Sequence, residues 1–230
     1  MCADWGFDMM ARISSRLFAA SAALCIASTA GAQVLYTQAY DGSGNLQASQ
    51  DDTGGGNGNF ATVYDDFTLG SAATITGVSF TGGYFNPPTQ GMITAFTVQF
   101  YSDAAGQPGS SIYSVFVPGD GGESCGGGVI CTYDLATSFT AAAGVQYWLS
   151  IVPDIAFPPQ WGWAFGTGGD ATAYQDFFGT RSQIGTDFAF TLTGAGVPEP
   201  ATWAMMLIGF GAIGYSMRRR RGAREVQAAA

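Results

Sequence analysis

Residues 33–196 are predicted to form an all-β domain, an antiparallel β-sandwich of jelly-roll type, between a signal peptide and a single C-terminal transmembrane helix. Three observations favour this fold. Apolar and polar residues alternate with a period of two, as expected of half-buried strands. Clusters of Gly, Pro, Asn and Asp divide the chain at short intervals. Residues 33–196, called the body below, have no sustained apolar stripe with the helical period, so we expect about nine or ten short strands.

The alternation is clearest in three runs, and four turn clusters separate the expected strands. Side chains two positions apart point to the same face of a strand, so each run has one apolar face. The apolar positions are Phe96, Val98 and Phe100, then Val145, Tyr147, Leu149 and Ile151, and finally Phe188, Phe190 and Leu192. The turn clusters are Gly82-Gly83, Asn86-Pro87-Pro88, Gly106-Gln107-Pro108-Gly109 and Gly119-Asp120-Gly121-Gly122.

Residues 1–32 have the pattern of a secretory signal peptide. Arg12 and Arg16 precede an apolar run, and small residues ending at Ala32 suit signal peptidase, so cleavage is expected directly after Ala32. Met10 opens the better charged region and is expected to be the true start. The mature domain is therefore expected outside the cytoplasm.

The C-terminal segment has the pattern of a membrane tether. Residues 201–217 are apolar and, at about 1.5 Å per residue, span roughly 25 Å as a helix, the short end of the transmembrane range. Positive charge stays on the cytoplasmic side, so residues 222–230 are expected inside and the domain outside. The tether residues are Trp203 and Tyr215, whose rings suit the membrane interfaces, and the block Arg218, Arg219, Arg220 and Arg221.

Pro198, Glu199 and Pro200 precede this helix, and the order of Pro-Glu-Pro, helix and arginine block over residues 197–221 resembles a PEP-CTERM sorting signal. The resemblance implies recognition and cleavage by an exosortase, a membrane transpeptidase-like enzyme of bacteria that make exopolysaccharide. The segment is also catalogued as an ice-binding-protein C-terminal domain, a label that does not imply ice binding. An ordinary C-terminal anchor is the alternative interpretation.

The segments 65–69, 75–84, 96–109, 147–151 and 187–192 carry a second likeness. Together they are similar to a group of uncharacterised exported PEP-CTERM proteins whose bodies are β-sandwiches. These segments are turns and alternating strands. The likeness therefore implies a fold and a destination, but no reaction.

The body of the chain is strongly acidic. It contains twelve aspartates and Glu123 against one cation, Arg181, and the whole chain has no lysine or histidine. Nucleic-acid binding is excluded, because phosphate contacts need Lys and Arg. Without histidine, Ser-His-Asp and Cys-His catalysis and His-ligated zinc are excluded as well.

Cys125 and Cys131 are the cysteines that remain once the signal peptide is removed. Outside the cytoplasm they are expected to form a disulfide around the glycines at 126–128. Such a short ring stabilises a fold by roughly 2–3 kcal/mol on the chain-entropy model. Two thiolates alone do not make a zinc site.

Trp161 and Trp163 are the candidates for ligand binding. Two positions apart on a strand, they point to one face and could form a strip of indoles on which sugar rings stack. The alternative is that both belong to the core, the usual place of aromatic side chains in a β-sandwich. On the first interpretation the ligand is a polysaccharide.

Carboxylates are the candidates for calcium binding, because this ion takes six to eight oxygen ligands and the body is rich in aspartate. An EF-hand-like start at Asp41, Ser43 and Asn45 lacks the required glycine and closing glutamate, so it is interpreted as a turn. Two carboxylates about 5–10 Å apart could also hydrolyse a glycosidic bond, although nothing in the sequence pairs any two. The candidates are Asp51, Asp52, Asp65, Asp66, Asp170, Asp176 and Asp187.

These patterns favour a non-enzymatic protein that is exported through the inner membrane and transiently anchored there. An exosortase then releases it to the cell surface or the exopolysaccharide matrix. We expect no cofactor other than calcium, and weak glycan contacts through the tryptophans. The alternative is an extracellular carbohydrate-active hydrolase that uses paired aspartates.

Overall fold

The computed structural model describes residues 32–196, 206–215 and 218. The predicted signal peptide up to residue 31 lies outside the described residues. The same holds for part of the predicted tether and its sorting motif, namely Pro198, Glu199, Pro200, Trp203, Arg219, Arg220 and Arg221.

The described residues contain fourteen strands where nine or ten were expected. The difference comes from short pieces of two to five residues that complete the sheet edges and loops. The strands are β1 (Gln33–Tyr40), β2 (Leu46–Ala48), β3 (Gln50–Asp52), β4 (Gly58–Thr68), β5 (Ala73–Phe85), β6 (Ala95–Asp103), β7 (Pro108–Pro118), β8 (Ile130–Ala141), β9 (Gln146–Asp154), β10 (Gln160–Thr167), β11 (Ala173–Phe177), β12 (Thr180–Ile184), β13 (Asp187–Phe188) and β14 (Phe190–Gly196).

Two seven-stranded sheets form from these strands. The first has the order β13-β10-β1-β14-β5-β8, with β2 paired to β10, and the second has the order β12-β11-β4-β3-β9-β6-β7. The pairs are antiparallel except for a short parallel contact between β3 and β9. The all-β prediction is therefore confirmed.

The two sheets pack face to face around an aromatic core. Phe80 of β5 meets Phe96 of β6 with ring centroids 5.5 Å apart, and Phe100 of β6 stacks on Phe139 of β8 at 4.4 Å. Burial of these rings supplies much of the driving force for folding, because each removes a large apolar area from water. Since both pairs join one sheet to the other, the predicted β-sandwich is confirmed.

A smaller aromatic cluster covers the outer face of the second sheet, formed by Tyr64, Tyr101, Trp148 and Tyr174. The Trp148 ring lies edge-on to Tyr174 at 5.4 Å, and its Nε1–H donates to Asp103 Oδ1 at 3.0 Å. The Arg181 guanidinium lies 4.9 Å above the Tyr64 ring, a cation–π contact. Strand β9 therefore buries both of its faces, although its sequence alternates.

Gly82-Gly83 lies inside β5, so the turn expected there is wrong. A Cβ atom on Gly82 would lie 2.1 Å from Cζ2 of Trp161, so the glycine makes room for the indole. The other three turn clusters lie at strand junctions, as predicted.

The disulfide between Cys125 and Cys131 is confirmed. It lies in the connection between β7 and β8 and closes the glycine-rich segment onto the start of β8. Glu123, two residues earlier, accepts hydrogen bonds from the hydroxyls of Tyr84 and Tyr133. Covalent and polar contacts thus hold this connection against the core.

In the C-terminal segment, residues 206–215 and 218 are helical, and Tyr215 and Arg218 are exposed. Among the described residues, no helix is long and apolar enough to cross a membrane. The predicted span 201–217 extends beyond the described part of this segment.

Candidate functional site

A cleft at one end of the sandwich gathers exposed aromatic rings beside amide side chains. We call it the phenylalanine cleft; it has a volume of about 280 Å³ and is lined by Asn57, Phe60, Asn86, Phe157, Gln160 and Phe178. All six side chains are uncharged, which is notable in so acidic a domain. Such a mixture of apolar walls and a few polar groups is typical of ligand sites.

Four chain connections build the phenylalanine cleft. They are the β3–β4 turn, which carries Asn57, the β5–β6 loop with Asn86, the β9–β10 loop with Phe157, and the β11–β12 turn with Phe178. Pairing of Gln160 with Phe85 in β10 and β5 brings two of these loops together. The backbone N–H of Phe178 donates to the carbonyl of Phe60 at 2.7 Å and fixes the β11–β12 turn to β4.

Three phenylalanines form a continuous aromatic surface at the cleft. The Phe178 ring stacks on Phe60 at 5.2 Å with an interplanar angle of 28°, and Phe177 lies perpendicular to Phe178 at 4.9 Å. Phe60 is buried, whereas Phe178 is 64% exposed and Phe157 is 43% exposed. One face of the outer ring is therefore supported by protein while much of the ring remains open to solvent.

Two residues of the cleft have a left-handed backbone. Phe178 has φ of 47° and Asn86 has φ of 53°. Asn adopts this region readily, but for a bulky side chain it is an outlier that costs on the order of 1–3 kcal/mol. Outliers of this kind cluster at binding and active sites, so the backbone at Phe178 favours a functional role.

The buried carboxylate of Asp52 ties two cleft loops together. It accepts a hydrogen bond from the N–H of Phe157 at 3.0 Å and another from the side-chain amide of Asn57. Burial by itself raises a carboxyl pKa, but these hydrogen bonds, together with those from the backbone of Gly55 and Asn57, outweigh it and lower the pKa of Asp52 below its ordinary value. The ionised carboxylate thus holds Phe157 and Asn57 in place.

The amides of the cleft keep free hydrogen-bonding atoms. Asn86 Nδ2 donates to Gln160 Oε1 at 3.1 Å, which orients the two side chains. Within the described residues, Asn86 Oδ1 and Gln160 Nε2 have no protein partner. One acceptor and one donor therefore remain available beside the rings.

Trp161 and Trp163 do not form an exposed strip, so the prediction of a stacking platform there is wrong. Both indoles are fully buried in the main core, as the alternative interpretation held. Trp161 Nε1–H donates to the Tyr133 hydroxyl and Trp163 Nε1–H to the Ala189 carbonyl, each at 3.0 Å. Both polar groups are satisfied inside the protein, and no ring face reaches solvent.

Asp65, Asp66 and Asp187 lie close enough to influence one another. Burial raises the pKa of Asp65 well above its ordinary value, and the charges of Asp187 and Asp66 add to this effect. Burial, followed by the charge of Asp170, raises the pKa of Asp66 to about 6. Asp65 accepts the N–H of Phe188 at 2.6 Å and lies away from solvent.

The remaining carboxylate candidates have local partners. Asp51 accepts from the Thr53 hydroxyl at 2.7 Å, and Asp176 forms an ion pair with Arg181 at 2.7 Å. Both oxygens of Asp187 accept backbone N–H groups. The segment at Asp41 is a turn, as interpreted, in which its carboxylate accepts the N–H of Ser43.

Metal-binding geometry is sparse in the described part of the chain. The one group there of three or more acidic, cysteine or histidine side chains with ligand atoms within 4.8 Å of one another is Glu123, Cys125 and Cys131. Its two sulfur atoms are bonded to each other, so they offer no thiolate to a metal. This group does not fit a metal site.

The fold and these features describe a disulfide-containing β-sandwich whose last strand leads into a sorting tail. A family model described as the PEP-CTERM protein-sorting motif matches residues 196–221, so the predicted sorting signal is confirmed. The motif is a substrate signal for exosortase and implies secretion with membrane-associated processing toward the cell surface. A search of the curated proteins found no match to the chain.

Sequence reasoning missed Phe157 and Phe178, although a signal was present. Phe157 stands before Pro158-Pro159, and Phe178 stands before Gly179. A large apolar residue next to turn-forming residues has no strand to bury it, and so it is a candidate for an exposed ring.

Proposed function

We propose that the chain is a non-enzymatic protein of the cell surface or exopolysaccharide matrix, delivered by exosortase processing. The observation that carries this proposal is the position of the sorting motif. It begins at residue 196, where β14 (Phe190–Gly196) ends, so the sandwich is followed directly by the sorting signal. The domain is then the exported cargo, and the tail is its delivery device.

In this proposal the helix at 201–217 anchors the chain transiently, with Trp203 and Tyr215 at the interfaces and the arginine block on the cytoplasmic side. Cleavage near Pro198-Glu199-Pro200 then frees the domain into the exopolysaccharide. The disulfide between Cys125 and Cys131 fits an oxidising destination. We further propose that the strands of the sandwich connect as in a jelly roll and that surface aspartates bind calcium.

The alternative proposal, a carbohydrate-active hydrolase, has one supporting observation. The pKa of Asp66 is raised to about 6, which suits a general acid. Two of the neighbouring candidates are unsuited to the second role, because Asp65 is buried and both oxygens of Asp187 accept backbone N–H groups. The remaining partner is Asp170, whose charge acts on Asp66. Release of reducing sugar from exopolysaccharide, lost in Asp66→Asn, would favour this alternative.

The sorting proposal is tested in cells with and without an exosortase. We expect the wild-type chain to lose its tail and reach the surface fraction only when the enzyme is present, as measured by intact-mass spectrometry after fractionation. A Pro198→Ala/Glu199→Ala/Pro200→Ala variant should keep its tail and stay in the membrane. Glu225→Ala, outside the matched residues, is the control and should behave as wild type. An identical mature mass in both strains would contradict the proposal.

A further inference from the structure

We propose that the phenylalanine cleft binds a neutral sugar ring of a polysaccharide chain. The inference depends on the proposed function only in placing the domain outside the cell, and it assigns a site and a ligand class. In this inference the stacking surface is the exposed ring of Phe178, and not the two buried tryptophans that the sequence suggested.

The first support is a rigid stacking surface. A pyranose ring presents a flat face of C–H groups that packs on an aromatic face. Phe178 offers such a face and is held by stacking on Phe60, by the perpendicular ring of Phe177, and by its N–H bond to the Phe60 carbonyl. Because the ring is already ordered, a ligand loses little binding energy to ordering it.

The second support is the polar edge of the cleft. Sugar hydroxyls both donate and accept, and the free Oδ1 of Asn86 and Nε2 of Gln160 supply one acceptor and one donor next to the rings. The hydrogen bond between these two amides fixes their orientation. A purely apolar partner would leave both groups unpaired, at a cost in affinity.

The third support is charge. The body carries twelve aspartates and Glu123 against Arg181, a net charge of −12, and the lining of the cleft is neutral. An anionic polysaccharide or an anionic membrane surface is repelled by this field, whereas a neutral ligand is not. The charge pattern therefore disfavours an anionic chain, and the uncharged lining of the cleft offers a cationic one no ion-pair partner.

The fourth support is the position of the cleft relative to the tail. In β5, Ala73 pairs with Gly196, where the tail begins, and Phe85 at the other end adjoins the cleft. Thirteen residues of strand span about 40 Å. While the tail anchors the chain, the cleft therefore lies at the end of the domain remote from the tail.

The test is affinity electrophoresis of the full chain in mild detergent, in native gels containing a neutral galactomannan, a neutral xylan, a neutral β-glucan or the polyanion alginate, each with and without calcium. We expect retardation in at least one neutral gel and none in alginate. Phe178→Ala and Phe178→Asn should weaken the apparent affinity about 10-fold or more. Asn suits the left-handed backbone, so this variant removes the ring without adding strain.

Matched controls separate ring stacking from general changes. Phe178→Tyr keeps the ring and should bind as wild type. Phe116, on β7 at the opposite edge of the same sheet, is also 64% exposed, so Phe116→Ala should leave retardation unchanged. Circular dichroism and thermal unfolding establish that each variant is folded.

Three results would overturn the inference. They are the absence of retardation in every neutral gel, equal retardation of wild type and both Phe178 variants, and equal loss in Phe116→Ala. A wild-type dimer that Phe178→Ala converts to a monomer, without retardation by polysaccharide, would assign the cleft to self-association instead. Because binding is measured on purified protein, these failures are distinct from a failure of exosortase sorting.

Discussion

Replacing Trp161 by alanine tests the assignment of this residue to the core. The indole is fully buried and lies within 6.2 Å, centroid to centroid, of the rings of Phe80, Phe96 and Tyr133. Its Nε1–H donates to the Tyr133 hydroxyl. Truncation therefore removes a large apolar side chain, several ring contacts and one internal hydrogen bond.

The magnitude follows from the loss of packing. Removing a buried Trp side chain costs about 3–5 kcal/mol, because the lost transfer energy adds to that of the cavity left behind. For a domain of this length each kcal/mol lowers the melting temperature by about 2–4 °C, so we expect a drop of about 6–20 °C. Trp161→Phe keeps most of the ring and should cost about 1–2 kcal/mol.

Urea unfolding of the wild type, Trp161→Ala and Phe178→Ala, followed by circular dichroism and fluorescence, measures these differences. Phe178 is mostly exposed and its backbone is strained, so its truncation should change the free energy of unfolding by less than about 1 kcal/mol. The reasoning is refuted if Trp161→Ala stays within about 1 kcal/mol of wild type. Below its melting temperature, Trp161→Ala should still bind the polysaccharide that retards wild type.

Three further predictions concern the disulfide, one acidic residue and one glycine. A Cys125→Ala/Cys131→Ala variant should lower the free energy of unfolding by about 2 kcal/mol, since the closed loop spans a sequence separation of 6. Urea unfolding measures this difference, and an unchanged midpoint of the unfolding transition would contradict the prediction. In the folded state the pKa of Asp66 is raised to about 6, so above pH 4 the folded state binds more protons than the unfolded state. The free energy of unfolding therefore falls as the pH rises from about 4 to 7. Asp66→Asn should reduce that fall by about 1–2 kcal/mol, a figure discounted for solvent screening, and an unchanged stability–pH profile would count against the assignment. A Cβ on Gly55 would lie 2.0 Å from Asp52 Oδ1, so Gly55→Ala should weaken binding at the phenylalanine cleft, whereas Gly54→Ala, whose Cβ meets open space, should not; equal binding by the two variants would argue against the role of Asp52.

Much of the fold was predictable because the period of two is a local property. Phe96, Val98 and Phe100 alternate in sequence and are all fully buried in β6. The disulfide was predictable as well. Removal of the signal peptide leaves two cysteines, and the compartment expected outside the cytoplasm is oxidising. Strand β9 was predicted from its alternation, but the burial of its second face was not, because the partners of Trp148 on that face, Tyr64 and Tyr174, come from distant parts of the chain.

Gly82 illustrates a second limit. Glycine pairs ordinarily punctuate turns, and that rule is local. In the structure Gly82 is required inside β5 because the Trp161 indole, almost eighty positions later, occupies the space of its side chain. A contact across the sheet thus overrode the local preference, as is common for strands.

The candidate site was the hardest part to predict, because aromatic side chains serve either stability or binding according to exposure alone. A pair of tryptophans at alternate strand positions could face solvent or the core. Their burial is decided by the pairing of β10 with β5 and by the packing of the second sheet over these strands. Phe178 becomes a binding candidate because its turn lies beyond the end of β11, where no opposing sheet covers it.

These aromatic side chains divide between two tasks along the length of the sandwich. In the middle, Trp161 and Trp163 pack between the sheets, and every polar group on them is bonded within the protein. At the end remote from the tail, Phe178 leaves the sheet on a strained backbone and keeps its ring in solvent. Strain at such a turn persists only where the surrounding structure over-determines it, and the tightly packed core supplies that stability. The packed core therefore allows an exposed, ordered ring to lie at the end of the domain remote from the tail. Ligand contact at that ring can change without altering the fold.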